Sequence, residues 1–224
     1  MGHVPALINK WFDGRTEFNP RQADESVLKA EMLSLLNKVV EKRAYRAEDA
    51  ATAIPSAVLV IIHYHHHEAN SPYVFMTKRG ADLKAHKSEV SFPGGRFSKG
   101  DASLLETALR ETEEEVGIAF KPGDVLGSLQ PVRTMTSNHF IVPFVTVQDM
   151  LPRLRVSVAE VADVLDVPLM ETLATREPDV EHFHLADDAY RFACSSKDDN
   201  NNNNVVWGAT ARILEQLHKA LVSM

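Results

Sequence analysis

At 224 residues and 44% hydrophobic, the chain can bury a sizeable core as one large domain, 1–224, with no repeat and no dividing linker. A formal charge of -7 gives the surface as a whole no reason to attract nucleic acid or an anionic membrane, so an anionic substrate would need a local basic patch. The single cysteine, Cys194, excludes an internal disulfide framework and fits a reducing compartment.

The opening stretch "MGHVPALINKWFDGR" lacks the charged-then-apolar pattern of a secretory signal, and no apolar run approaches the roughly 20 residues that span a bilayer. The expectation is a soluble intracellular protein, cytoplasmic or inside an organelle reached by a signal not visible here. From Ala23 to Arg46, Val27, Leu28, Met32, Leu35, Leu36, Val39 and Val40 recur at helical spacing, which predicts an amphipathic N-terminal helix with packing or homodimerisation as its role. "SAVLVIIHY" and "YVFMTKR" are short, β-branched and apolar, and read as two strands joined by the turn "HHHEANSP". His65, His66 and His67 invite a metal reading, but adjacent side chains at a strand end alternate in direction and a turn exposes them.

A Gly- and Pro-rich loop, "HKSEVSFPGGRFSKGD", feeds a helix predicted over Ala102 to Val116, with Asp101 as its cap and Gly117 as its stop. "VLGSLQPVRT", "HFIVPFVTVQ" and "RLRVSV" read as three further strands, 159–175 as a short helix with connections around Pro168, and "YRFACSS" as another strand. The polar tract Asn200 to Asn204 cannot fill a core and reads as a loop, and "WGATARILEQLHKALVS" closes the chain as a helix. Strands interleaved with three well-marked helices predict an α/β sandwich in which helices cover a central mixed sheet.

The chemistry concentrates in "RETEEEVG", 110–117. On a helix, Glu111, Glu114 and Glu115 share one face while Glu113 points elsewhere, so either that face is simply wet or something cationic sits on it. Like-charge pairs at this spacing cost only about 0.2–0.5 kcal/mol each on an exposed helix, so energetics alone does not choose. The adjacent "FPGG" tilts the choice, because its backbone can pass close to a ion or ligand, and hard oxygen donors near free carbonyls suit Mg²⁺ or Mn²⁺.

These residues resemble the box of the Nudix hydrolases, G-x5-E-x7-R-E-U-x-E-E-x-G-U, where U is bulky and aliphatic. Arg110, Glu111, Glu114, Glu115 and Gly117 match its second half, with Thr112 at a U position. Counted from Gly95, the early glutamate position holds Asp101, and one residue is inserted before Arg110. That longer loop, with Thr77, Arg79, Leu83, His86, Val90, Phe92, Pro93, Gly94 and Gly95 upstream, resembles the coenzyme A diphosphatase branch; Gly80 replaces a usual Ser, and Ser88 a usual Gly. "AEVADVLDVPL" and "VWGATARIL" extend the likeness to about Leu221.

The resemblance implies a Nudix-like fold and a hydrolase that cleaves the diphosphate of coenzyme A or its acyl esters with Mg²⁺ or Mn²⁺. It implies that Glu111, Glu114 and Glu115 bind the ions with help from a carbonyl at Gly94 or Gly95, and that Arg110 orients the glutamates. Glu114 and Glu160 are the candidate proton acceptors, an exposed helix cap being the other reading of Glu160. The alternatives are another nucleoside diphosphate derivative as substrate, such as ADP-ribose, a dinucleotide or an oxidised nucleotide, or a binding module without hydrolysis. Independently of the family, Lys78, Arg79, Lys84, His86 and Lys87 cluster against only Asp82, a basic segment able to hold coenzyme A phosphates, with a plain basic surface turn as the other reading.

Overall fold

A computed structural model describes residues 25–65, 71–80, 89–179, 190–194 and 204–222. Its first helix, α1 (Glu25–Val39), stops short of Arg46 because the next backbone groups are used elsewhere. Glu41 donates its N–H to the carbonyl of Ser128 (2.7 Å) and accepts the N–H of Ser128 (2.9 Å), a bridge that turns the chain toward the sheet.

The sheet is built around β1 (Ile54–Tyr64), flanked by β2 (Pro72–Arg79) on one side and β7 (His139–Gln148) on the other. β1 runs parallel to β7 and antiparallel to β2, so the sheet is mixed as expected. β5 (Val125–Ser128) and the short β6 (Val132–Arg133) both pair with β7, dividing the single strand expected from "VLGSLQPVRT". The alternation along β1 sorts the core into two layers. Val60 and Ile62 face a cluster with Met32 and Leu36 of α1 and with Leu214 and Leu217 of the C-terminal helix, while Ala57, Leu59 and Ile61 face Leu104, Ala108 and Val116 of the central helix.

Two expectations fail between residues 153 and 175. "RLRVSV" forms no strand, because the N–H groups of Arg155 and Ser157 are taken by the open carbonyls of Val116 (2.9 Å) and Glu115 (2.8 Å) at the end of the central helix. Of the short helix and connections expected over 159–175, the helix is α3 (Leu169–Ala174), but the connection before it is a strand, β8 (Val161–Pro168). The free edge of β2 accepts β8 along seven pairs from Tyr73↔Pro168 to Arg79↔Val161, and this tertiary pairing overrides the local reading.

β9 (Glu177–Pro178), β10 (Tyr190–Cys194) and β11 (Asn204–Val206) make a separate three-stranded sheet, with Cys194 packed into the first core as a buried residue. Of the asparagine tract only Asn204 lies among the described residues, where it begins β11 rather than a loop. The closing helix, α4 (Gly208–Val222), forms as expected.

The site is positioned where the sheet opens. β2 leaves β1 after Phe75↔Ile61, and β3 (Val90–Ser91) continues beside β2 while β4 (Gly94–Arg96) takes the vacated place on β1. Leu59 donates to the carbonyl of Pro93 at the junction, 2.9 Å. The expected loop is thus partly strand, and the central helix, α2 (Leu104–Val116), lies over it.

Candidate active site

α2 starts at Ser103, whose hydroxyl accepts the N–H of Glu106 (3.2 Å), and not at the expected Asp101 cap. Asp101 is drawn away by a stronger partner. Its carboxylate accepts Nε–H and an NH2 group of Arg110 (2.8 and 3.1 Å) and the hydroxyl of Thr107 (2.8 Å), and the Arg110 bond holds its pKa below the usual carboxylate range. Gly117 ends the helix in the left-handed region at φ 74, as the sequence requires, and a Cβ there would lie 2.6 Å from Cβ of Arg155.

Arg110 holds three carboxylates at once. Besides Asp101, its guanidinium pairs with Oε1 of Glu111 and Oε2 of Glu114, each at 2.9 Å, and donates to the carbonyl of Arg96 at 3.3 Å. Clustered acids in turn push the Arg110 pKa up, the bond to Asp101 first among the causes. Glu114 is half exposed at 54%, whereas Glu115 is buried at 5%.

Gly94 and Gly95 let the backbone meet these acids. Gly94 (φ 149) has no room for a side chain, since a Cβ would lie 2.3 Å from the carbonyl of Ala57, and its N–H donates to Oε2 of Glu115 at 3.3 Å. A Cβ on Gly95 would lie 2.4 Å from Oε2 of Glu111, so this carboxylate rests directly on the glycine backbone.

Burial raises the pKa of Glu111, opposed by Arg110 and reinforced by the charges of Glu114 and Glu160. Burial likewise pushes Glu115 up to about 7, opposed by the Gly94 N–H and the charge of Arg79 and reinforced by Glu111 and Glu160. Glu160 sits in the turn before β8, with its carbonyl accepting the N–H of Gly80 (3.1 Å), so it is neither in a helix nor at a helix cap.

The structure therefore brings Arg110, Glu111 and Glu114 together, sets Glu111 on Gly95 and Glu115 on the N–H of Gly94, and leaves Glu115 within reach of the charges of Glu160 and Arg79. The Nε of Arg79 is buried and has no hydrogen-bond partner among the described residues. Lys84, His86 and Lys87 lie outside the described residues. Asp101 was read only as a cap and a replaced glutamate; the signal for its role as the Arg110 partner was its place at the early acidic position of the box.

The donor set fits a hard divalent cation. Glu111 and Glu115 are oxygen donors whose burial favours taking up a proton, and a divalent ion among them would supply the missing positive charge. Carboxylates gathered on a glycine turn of an α/β sandwich suit metal-assisted hydrolysis. The NUDIX domain family matches residues 53–186, so the chain belongs to the Nudix hydrolase family.

The Nudix hydrolase NudL of Pectobacterium atrosepticum is 35% identical over 162 residues, covering 72% of this chain and 80% of that protein. NudL of Cronobacter sakazakii is 36% identical over 146 residues, covering 65% and 73%. Among solved structures, a MutT/nudix family protein from Enterococcus faecalis superposes with a TM-score of 0.53 at 13% identity over 96% of this chain and 73% of that one. The NUDIX domain of Shewanella oneidensis NrtR, crystallised with ADP ribose, gives 0.50 at 16% over 80% and 94%. Both share the fold. Among the described residues no helix is long and apolar enough to cross a membrane.

Proposed function

We propose that this protein is a divalent-metal-dependent hydrolase that cleaves the diphosphate of coenzyme A or acyl-coenzyme A, giving 3',5'-ADP and the (acyl-)4'-phosphopantetheine fragment. The observation that carries the chemistry is the acidic helix face on the glycine turn: Arg110 pairs with Glu111 and Glu114, Glu111 rests on Gly95, and Glu115 accepts the N–H of Gly94. The substrate branch rests on the upstream run through "FPGG", with its basic residues Arg79, Lys84, His86 and Lys87.

In this reading Glu111, Glu114, Glu115 and the Gly95 carbonyl would hold Mg²⁺ or Mn²⁺, which would neutralise diphosphate charge and make water a better nucleophile near neutral pH. Arg110, braced by Asp101, keeps Glu111 and Glu114 in place through charge-assisted hydrogen bonds. Glu160 or Glu114 accepts the proton as the water oxygen bonds to phosphorus, and the bridging P–O bond breaks with its electron pair going to the leaving phosphate. Arg79, whose charge acts on Glu115 and whose buried Nε has no partner among the described residues, contributes positive charge for a substrate phosphate.

The test is product analysis after incubation with coenzyme A and Mg²⁺ or Mn²⁺, with an EDTA control and a parallel panel of ADP-ribose, dinucleotides and oxidised nucleotides. Metal-dependent release of 3',5'-ADP is the expected result. Much faster turnover of ADP-ribose, the compound bound to the NrtR domain, would replace the substrate and keep the chemistry. No turnover of any member would favour a binding module.

A further inference from the structure

A second cluster of metal-type ligands lies on the same sheet. His63 on β1 and His65, the residue just past its end, stand two apart with both side chains on one face, and Asp166 reaches that face from β8 on the far side of β2. Nε2 of His63 is 2.7 Å from Oδ1 of Asp166, and Nε2 of His65 is 2.5 Å from Oδ2. All three ligand atoms lie within 4.8 Å of one another. The place is remote from the glutamates, because six residues of β1 separate His63 from the Ala57↔Gly95 pair, about 20 Å at roughly 3.3 Å per residue.

The surroundings hold these groups rigidly. His63 is buried at 1% exposure, the two imidazoles meet edge to face at 5.1 Å, and Tyr73 stacks edge-on against His65 at 4.5 Å. A purely hydrogen-bonded cluster requires a proton on Nε2 of both rings, each N–H donating into the one carboxylate. With those protons released, the cluster offers two nitrogen lone pairs and a carboxylate oxygen, all within 4.8 Å of one another. His65, at 43% side-chain exposure, leaves the cluster open to water on one side.

We propose that His63, His65 and Asp166 form a second metal site, one that takes Zn²⁺ in preference to Mg²⁺ and clips β1 to β8 across β2. Imidazole nitrogens suit zinc, whereas magnesium takes oxygen donors and keeps its waters. Three protein ligands and a water complete a four-coordinate zinc site. The clip joins residues 101 and 103 positions apart in the chain.

The test uses the full-length, untagged protein stripped of metal, with Zn²⁺ affinity read against a chromophoric chelator in excess Mg²⁺ and with Co²⁺ substitution read by visible absorption. One tight equivalent is expected, with a cobalt spectrum showing nitrogen ligation in a four-coordinate site. Asp166→Asn and the exposed His65→Gln should each weaken Zn²⁺ binding at least about tenfold. Glu114→Gln, and a double His66→Gln, His67→Gln variant that removes the neighbouring histidines, should bind as the unmodified chain does. Zinc should also raise the unfolding temperature of the unmodified protein and not that of His65→Gln, which keeps a folded comparator if Asp166→Asn folds poorly. Absence of a tight equivalent, its loss in Glu114→Gln or in the His66, His67 variant, or full retention in Asp166→Asn or His65→Gln would overturn the assignment.

Discussion

Replacing Glu115 by Gln separates the cost of a buried carboxylate from its use. Glu115 is 5% exposed, and burial raises its pKa from the model-compound value of 4.5 to about 7. A raised carboxyl favours the protonated folded state, so its contribution is fully present below pH 4.5 and is lost as pH rises through about 7. At 1.36 kcal/mol per unit the loss above pH 7 is about 3 kcal/mol, to order of magnitude. Glutamine mimics the protonated acid and escapes the loss. In EDTA, Glu115→Gln should therefore equal the unmodified protein near pH 4.5 and exceed it at pH 8, by about 6–12 °C at the roughly 2–4 °C per kcal/mol of a chain this size. Adding Mg²⁺ or Mn²⁺ at pH 8 should close the gap, since the ion stabilises the carboxylate and has less to hold in the amide. Thermal unfolding of both proteins across pH, with and without metal, checks this. Parallel pH profiles in EDTA, or a metal response equal in the two proteins, would refute the reasoning.

Three further outcomes can be measured. Glu114→Gln should lower kcat at least about a hundredfold under saturating metal; near-normal turnover would remove this glutamate from the mechanism. Charge reversal at Lys84 or Lys87 should raise KM for coenzyme A more than for dephospho-coenzyme A, and equal effects in steady-state kinetics would exclude a 3'-phosphate contact. Gly117→Ala combines φ 74 with a Cβ placed 2.6 Å from Arg155, and should cost at least about 1–3 kcal/mol in urea denaturation; unchanged stability would show that the 153–157 segment yields freely.

The legible parts were those governed by neighbours in the chain. Leu109, Thr112 and Val116 recur at helical spacing and are buried in α2, Gly117 ends it, and the spacing of Glu111, Glu114 and Glu115 on that helix carried both the carboxylate face and the family likeness. Likewise β1 and β2 announced themselves through β-branched apolar runs. Arg155 to Ser157 looked like a strand because its alternation was right, but its donors cap α2; Val161 to Pro168 looked like part of a short helix and its connections until the open edge of β2 claimed it. Local pattern states which conformations a segment tolerates, and a distant partner chooses among them.

So the sequence by itself determined the helices, the central strands, the acidic helix face and the glycine turn, since each depends on periodicity or on backbone freedom within a few residues. Only the tertiary structure decided that Asp101 belongs to Arg110, that Glu160 stands near Glu111 and Glu115, and that His63 and His65 meet Asp166. Except for Asp101 and Arg110, nine positions apart, those pairings join residues distant in the chain, and their geometry exists only once the sheet has assembled in its register.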